Sequence, residues 1–524
     1  MINLSRNTKI VIGSFLFFVL LVSGCTGKKS RRLVIVGFDG LTSDILIPMI
    51  EEGSLPHFSR MLNTGSSGNL TSSIPQLAPT AWTTATTGVN PGKHGIFSYC
   101  KGLVPVGENE FLVSYYSSAD RGVSPLWVLL TDAGQRSIVI NVPSTSPPDS
   151  INGMMVAGGP YTSTTDFTIP GELKEKFSAE FTLSGAEGST GRERGQQYLD
   201  YLKTTFTTRK EAALELMDTE DWDVFFVVFT IPDRVQRYFW QYTDKEHPLY
   251  TDDGASLFGE TIADVYREID RTIGEFDTRT GSMGANFLTF SASGHEPVYR
   301  TVNGSNLIKE HWPMEGRDIY IGQADKHRGI FSIWFSQPPE VNKENWEKYS
   351  ALNNELVQTL GNLRDPETGE TVTDSVYQRA NIYSGPRSNR APDIIAAEER
   401  GYLFVNRNYT QDGKIIELPE AGTFCSHPGT DGVLFARGPD IEAGVRLNNA
   451  GIMDIVPTVL YLKGVSVASY MDGRVLEEMI SGEYTKKHPL DDVIRELPME
   501  PARAVTKLTV EEENQLRVQL DPVE

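Results

Sequence analysis

Residues 33–36, LVIV, are apolar at four consecutive positions and mostly β-branched. A strand with one wet face alternates apolar and polar residues. An unbroken run is what a strand buried on both faces requires, as in a parallel sheet covered by helices. The run ends in Gly37, Phe38, Asp39 and Gly40. In open α/β sheets ligands bind beyond the carboxyl ends of the strands, so Asp39 stands where a metal-binding carboxylate is useful. An aspartate there also suits the N-cap of a following helix, and the local sequence leaves both readings open. Further runs at 137–142, 223–230 (DVFFVVFT), 286–290 and 432–436 (GVLFA) read as strands. Segments 124–133, 255–276 and 344–363 read as helices. This alternation predicts an α/β fold with helices on both faces of a parallel sheet.

The chain has 524 residues and a formal charge of −21. That length allows a large core. So acidic a chain repels phosphate backbones, which argues against a nucleic-acid partner. Arg6 and Lys9 precede the apolar run 10–22, and Val22-Ser23-Gly24-Cys25 follows. This pattern resembles a bacterial lipoprotein signal. The resemblance implies removal of residues 1–24, lipid on the Cys25 thiol and a short tether over 25–32. The protein would then be anchored on the outer side of the cytoplasmic membrane or in the outer membrane. A plain signal peptide or an uncleaved anchor is the alternative. Two cysteines remain, Cys100 and Cys425, and the sequence leaves open a disulfide or two separate thiols.

Several segments together resemble the type I phosphodiesterase/nucleotide pyrophosphatase branch of the alkaline phosphatase superfamily. They are GFDGL at 37–41, LPHFSRML at 55–62, PTAWTTATTG at 79–88, NPGKHGIF at 90–97 and SPLWVLLTDAGQRSIVINVPSTSPP at 124–148. DPETGE at 365–370, NRAPDII at 389–395 and DIVPTVLYL at 454–462 extend the likeness. The resemblance implies an alkaline-phosphatase-like, mostly parallel central sheet sandwiched by helices over 33–480. Cap insertions are expected near 160–205 and 300–425, with a peripheral tail over 481–524.

The resemblance also implies a two-metal hydrolytic site, and here the chain departs from the pattern. Asp39 falls on a ligand position of one metal, but the adjacent Asp-His pair of that metal falls on Ala292 and Ser293. The nucleophile position falls on Ala78, whose methyl group cannot attack phosphorus. For the other metal Asp233 matches and His427 is the expected distant histidine, while the histidine one helical turn past Asp233 is replaced by Arg237. A guanidinium is permanently charged and only donates, so it cannot ligate a cation. Catalytic zinc sites use three protein ligands, and neither half supplies them. Thr80 is a weak candidate for a substitute nucleophile, with helix capping as the plainer role. His295 is a candidate substitute ligand, with a polar-loop position as the plainer role. His94 and Lys93 read as structural, and Trp82, Trp240 and Tyr238 as core or cleft wall.

These readings predict a degenerate homologue with no cofactor, whose cleft binds an anionic ligand or a protein partner through Arg237. Arg237 is expected to bridge Asp233. The rival expectation is an active hydrolase of phosphodiesters or phosphomonoesters, using zinc or another divalent cation at a rebuilt site. A surface protein with no cleft ligand is the third.

Overall fold

The computed structural model describes residues 30–107, 110–159, 167–177, 192–312, 319–320, 331–335, 343–405 and 413–500. The expected signal segment, Cys25, most of 160–191 and the tail beyond 500 lie outside them, as does the side chain of Cys100.

A nine-stranded sheet forms the centre. In spatial order its strands are Val445–Gly451, Ser66–Thr71, Asp431–Arg437, Asn286–Phe290, Leu33–Phe38, Val224–Phe229, Ser137–Ile140, Gly153–Val156 and Thr168–Ile169. Leu33–Phe38 runs parallel to both neighbours, with Val36 opposite Val227 on one side and Thr289 on the other. Asp431–Arg437 is antiparallel to both of its neighbours, and Thr168–Ile169 to its one. The sheet is therefore mostly parallel, as the unbroken apolar runs predict.

Those runs are explained by burial on two faces. Val34, Val36 and Phe38 join one core cluster, Leu33 and Ile35 the other. The next strand divides in the same way, with Phe225, Val227 and Phe229 on one side and Val224, Phe226 and Val228 on the other. Each such side chain contributes roughly 1.5–3 kcal/mol by leaving water. The expected helix at 255–276 is two helices, Asp252–Phe258 and Thr261–Ser282, with Gly259 and Glu260 between them. The span 160–205 contains the start of a long helix, Arg192–Thr219, which packs Tyr198, Leu199, Leu202 and Phe206 into the main core. That part of the span is core rather than cap.

Between 294 and 429 the described residues build a cap from two small sheets and the helix Lys343–Gly361. Gly294–Asn303 pairs with Gly401–Val405, Ile416–Glu417 and Ser426–Gly429. Ile394–Glu398 pairs with Phe331–Phe335 and Thr373–Gln378. The cap meets the core where the Tyr383 hydroxyl donates to the Ile74 carbonyl and Arg387 to the Asp120 carbonyl. After the sheet, the chain continues through Gly482–Lys487 and Ile494–Arg495 to Glu500, whose carbonyl accepts from the Ser124 amide. Among the described residues no helix is long and apolar enough to cross a membrane.

Candidate functional site

Asp39 follows the strand Leu33–Phe38 directly, and its amide donates to the Phe229 carbonyl at 2.9 Å. Asp233 lies in the first turn of the helix Ile231–Thr243, just past the neighbouring strand, and its amide donates to the Asp39 carbonyl at 2.9 Å. The two carboxylates are thus placed together by the carboxyl ends of adjacent parallel strands. Gly40 makes the approach possible. Its φ is +85°, and a Cβ there would lie 2.9 Å from both Asp233 Cα and His295 Cδ2, so only glycine fits without a shift of backbone.

Asp233 carries the densest set of contacts. Arg237 Nε donates to both of its carboxylate oxygens at 3.0 and 2.9 Å, and the terminal Nη2 lies 2.8 Å from Oδ1. His295 Nε2 lies 3.0 Å from Oδ1, while its Nδ1 lies 2.8 Å from Ser426 Oγ. A neutral imidazole has one donor and one acceptor nitrogen. The carboxylate takes the Nε2 proton, so Nδ1 accepts from the serine hydroxyl. All four residues are buried, Ser426 completely. Ser426, His295 and Asp233 form a hydroxyl–imidazole–carboxylate relay, but a serine with no exposed surface has no route to a substrate.

Burial opposes ionisation of Asp233. The Arg237 guanidinium and the His295 hydrogen bond outweigh it and hold the carboxyl well below the usual range. Asp39 has weaker partners. Burial, then the Asp233 charge, push it up to about 7, against the Trp82 Nε1–H bond to Oδ1 at 3.0 Å. The first carboxylate is held charged and the second is biased toward its neutral form. His427 is buried, its Nδ1 is 3.9 Å from Glu398, and its Nε2 has no hydrogen-bond partner among the described residues. Burial, then His295 and Arg237, lower it to about 3, so it is neutral.

Ala78 is the first residue of the helix Ala78–Thr87, which Leu77 caps without a side-chain bond, with Pro79 in the first turn. Proline favours that place, so the helix begins before Thr80 and Thr80 does not cap it. Thr80 is fully buried and its hydroxyl has no partner among the described residues. Ala292 and Ser293 are buried beside the strand end, where Ser72 Oγ donates to the Ala292 carbonyl. His295 lies not in a polar loop but at the start of the strand Gly294–Asn303. Glu398 was not anticipated, because the strand Ile394–Glu398 brings it beside His427 from the other cap sheet. Cys425 is a free, buried thiol, 3.1 Å from the Arg237 carbonyl. His94 and Lys93 are structural: His94 Nε2 meets Thr84 Oγ1, and Lys93 binds Asp472.

The donor set does not fit a pair of divalent cations. Arg237 engages both oxygens of Asp233, and the side chains of Ala78, Ala292 and Ser293 supply neither a nucleophile nor an Asp-His pair. Among the described residues no group of three or more His, Cys, Asp or Glu side chains is arranged to hold a metal.

The fold is that of murine ectonucleotide pyrophosphatase / phosphodiesterase 5, at 14% identity and a TM-score of 0.52 over 86% of this chain and 100% of that one. An inactive variant of the murine protein, in complex with AMP, matches equally well. Phosphonoacetate hydrolase from Sinorhizobium meliloti 1021, in complex with phosphonoformate, has 13% identity and a TM-score of 0.53 over 83% of this chain and 96% of that one. Comparison with curated proteins gave no match. The model of the type I phosphodiesterase / nucleotide pyrophosphatase family matches residues 33–428. With that match over most of its length, and the sheet and cap described above, the chain belongs to the type I phosphodiesterase / nucleotide pyrophosphatase family.

Proposed function

We propose that this protein is a non-hydrolysing member of its family, held at the membrane by lipid on Cys25, that binds an anionic ligand or acidic partner at the mouth of its cleft. The fold and family are those of hydrolases. The observation that carries the departure is the Arg237 guanidinium lying across both oxygens of Asp233. Two-metal catalysis needs cations to activate the attacking group and neutralise charge on the phosphoryl oxygens. Here a fixed guanidinium holds a ligand carboxylate, and the nucleophile position is Ala78. The rebuilt-hydrolase alternative would require Thr80 to attack from a fully buried position.

Arg237 is committed to Asp233 and is itself buried, so it is a poor receptor for an outside anion. Arg234, one turn nearer the strand, has about a third of its side chain exposed and lies 3.9 Å from Asp233. It is the more exposed of the two guanidinium groups, which moves the expected anion contact from Arg237 to Arg234. The inactive variant of the murine relative is in complex with AMP, so in that protein nucleotide is held by an inactive form. Thermal-shift titration of the mature protein with AMP and with inorganic phosphate tests the reading. A rise in Tm that is unaffected by chelator and lost in Arg234→Ala is expected. Turnover of a phosphodiester that depends on added metal would overturn it.

A further inference from the structure

The contacts of Arg237 reach well beyond Asp233. Its backbone carbonyl accepts from the Cys425 amide at 2.8 Å and from the Cys425 thiol at 3.1 Å. The Phe424 ring lies over its guanidinium, 5.0 Å from centroid to Cζ, and meets Tyr238 edge-on at 5.4 Å. Cys425 in turn accepts through its carbonyl from the Val298 amide at 2.9 Å. Asp233, bound by Arg237, holds His295, and His295 holds Ser426. Next along that strand, His427 is 3.9 Å from Glu398 of the second cap sheet. One helix of the core, Ile231–Thr243, is therefore tied to two paired strands of the cap, Gly294–Asn303 and Ser426–Gly429. The ties from Phe424 and Cys425 end on Arg237, and the tie from His295 ends on Asp233, which Arg237 holds.

We infer that Arg237 is a tethered cation that clasps the cap to the core, so that closure of this sheet edge depends on a side chain and not on a bound ion. Charge is what makes such a clasp necessary. Asp39 and Asp233 are brought side by side by adjacent strands and would repel each other without a cation between or beside them. A guanidinium one helical turn along the same helix supplies that charge at a fixed place, with planar donors that match a carboxylate. The guanidinium that relieves the carboxylates also stacks on Phe424 and fixes the Asp233 carboxylate that holds His295, so the same charge supports the segment leading into the cap's returning strand. A diffusible ion would link the ligand side chains only while bound; the tether is permanent. This goes beyond the non-hydrolysing reading, and the two fail separately: activity and metal content test that reading, while cap–core closure tests this one.

Amide hydrogen exchange on the full chain reads the clasp directly. The amides of Cys425 and Val298 report the cap junction, and those of the strand Leu33–Phe38 report the core. In the wild type all should be protected, with no change on adding EDTA. In Arg237→Ala the junction amides should exchange about a hundredfold faster or more, since a buried carboxylate has lost its partner, while the core strand keeps its protection. If Arg237→Ala does not fold, Arg237→Lys keeps the charge but loses the planar double contact, and should show the same selective loss at the junction to a smaller degree. Junction protection equal to wild type in whichever variant folds would overturn the inference. So would wild-type junction amides that open when EDTA is added.

Discussion

His94 offers a way to test the packing of this fold by pH. It is fully buried in the short turn Pro91–His94. Its Nδ1 accepts from the Ile96 amide at 3.2 Å, which leaves Nε2 as the donor to Thr84 Oγ1 at 3.0 Å. The ring is therefore neutral in the fold, and a second proton would have to break the Ile96 bond. Burial first, then the charges of Arg121 and Arg387, lower its pKa to about 3. In the unfolded chain the value is about 6.5. Between pH 6.5 and 3 the unfolded state binds the extra proton and the fold does not. Stability from this group is thus complete above 6.5 and is lost as pH falls through that window. At pH 4.5 the gap is about two units, or ~2.7 kcal/mol at 1.36 kcal/mol per unit. Denaturant unfolding of wild type and His94→Gln at pH 7.5 and 4.5 isolates the term, because other titrating groups are common to both. The variant should be less stable at pH 7.5, having lost a buried hydrogen-bonding ring, yet should lose ~2–3 kcal/mol less than wild type on acidification. Equal losses in the two proteins would refute the argument.

Gly40→Ala should be strongly destabilising, by ~2–4 kcal/mol, because it combines a left-handed backbone with a Cβ placed 2.9 Å from Asp233 Cα; a denaturation midpoint within error of wild type would contradict it. Cys25→Ser should move the protein out of the membrane fraction or leave its precursor uncleaved; unchanged processing and retention in cell fractionation would exclude the lipid anchor. A fluorophosphonate probe should leave Ser426 unlabelled, because that hydroxyl has no exposed surface; labelling lost in Ser426→Ala would mean the relay is reached by ligands.

The sheet was legible wherever burial on two faces wrote an unbroken apolar run. Residues 33–36 and 224–229 are of this kind and are adjacent central strands, and 286–290, interrupted by Asn286 and Thr289, is the neighbour on the other side. The long helix beginning at Arg192 was hidden because Tyr198, Leu199, Leu202 and Phe206 are interleaved with charged and amide residues that face water. The break at Gly259 was missed because the apolar spacing runs across it. Asp233 and Arg237 could be placed together from sequence, since a four-residue separation on a helix puts them on one face. His295 could not. Its burial comes from pairing of Gly294–Asn303 with Ser426–Gly429, segments more than a hundred residues apart, and Pro297 weakens the strand signal locally. Glu398 was invisible for the same reason, since only the cap's fold brings it to His427. The place of Thr80 turned on a helix start three residues earlier, at the Leu77 cap, which the Pro79 preference for a first turn decides.

Whether this site runs two-metal hydrolysis is decided by elemental analysis of the mature protein purified without chelator, paired with a phosphodiester hydrolysis assay on the same sample. With Arg237 on Asp233, Ala78 at the nucleophile position and Ala292-Ser293 in place of an Asp-His pair, the protein should carry no stoichiometric zinc and show no hydrolysis when zinc is added. Two bound metal ions per chain, with hydrolysis that chelation abolishes and metal restores, would contradict this.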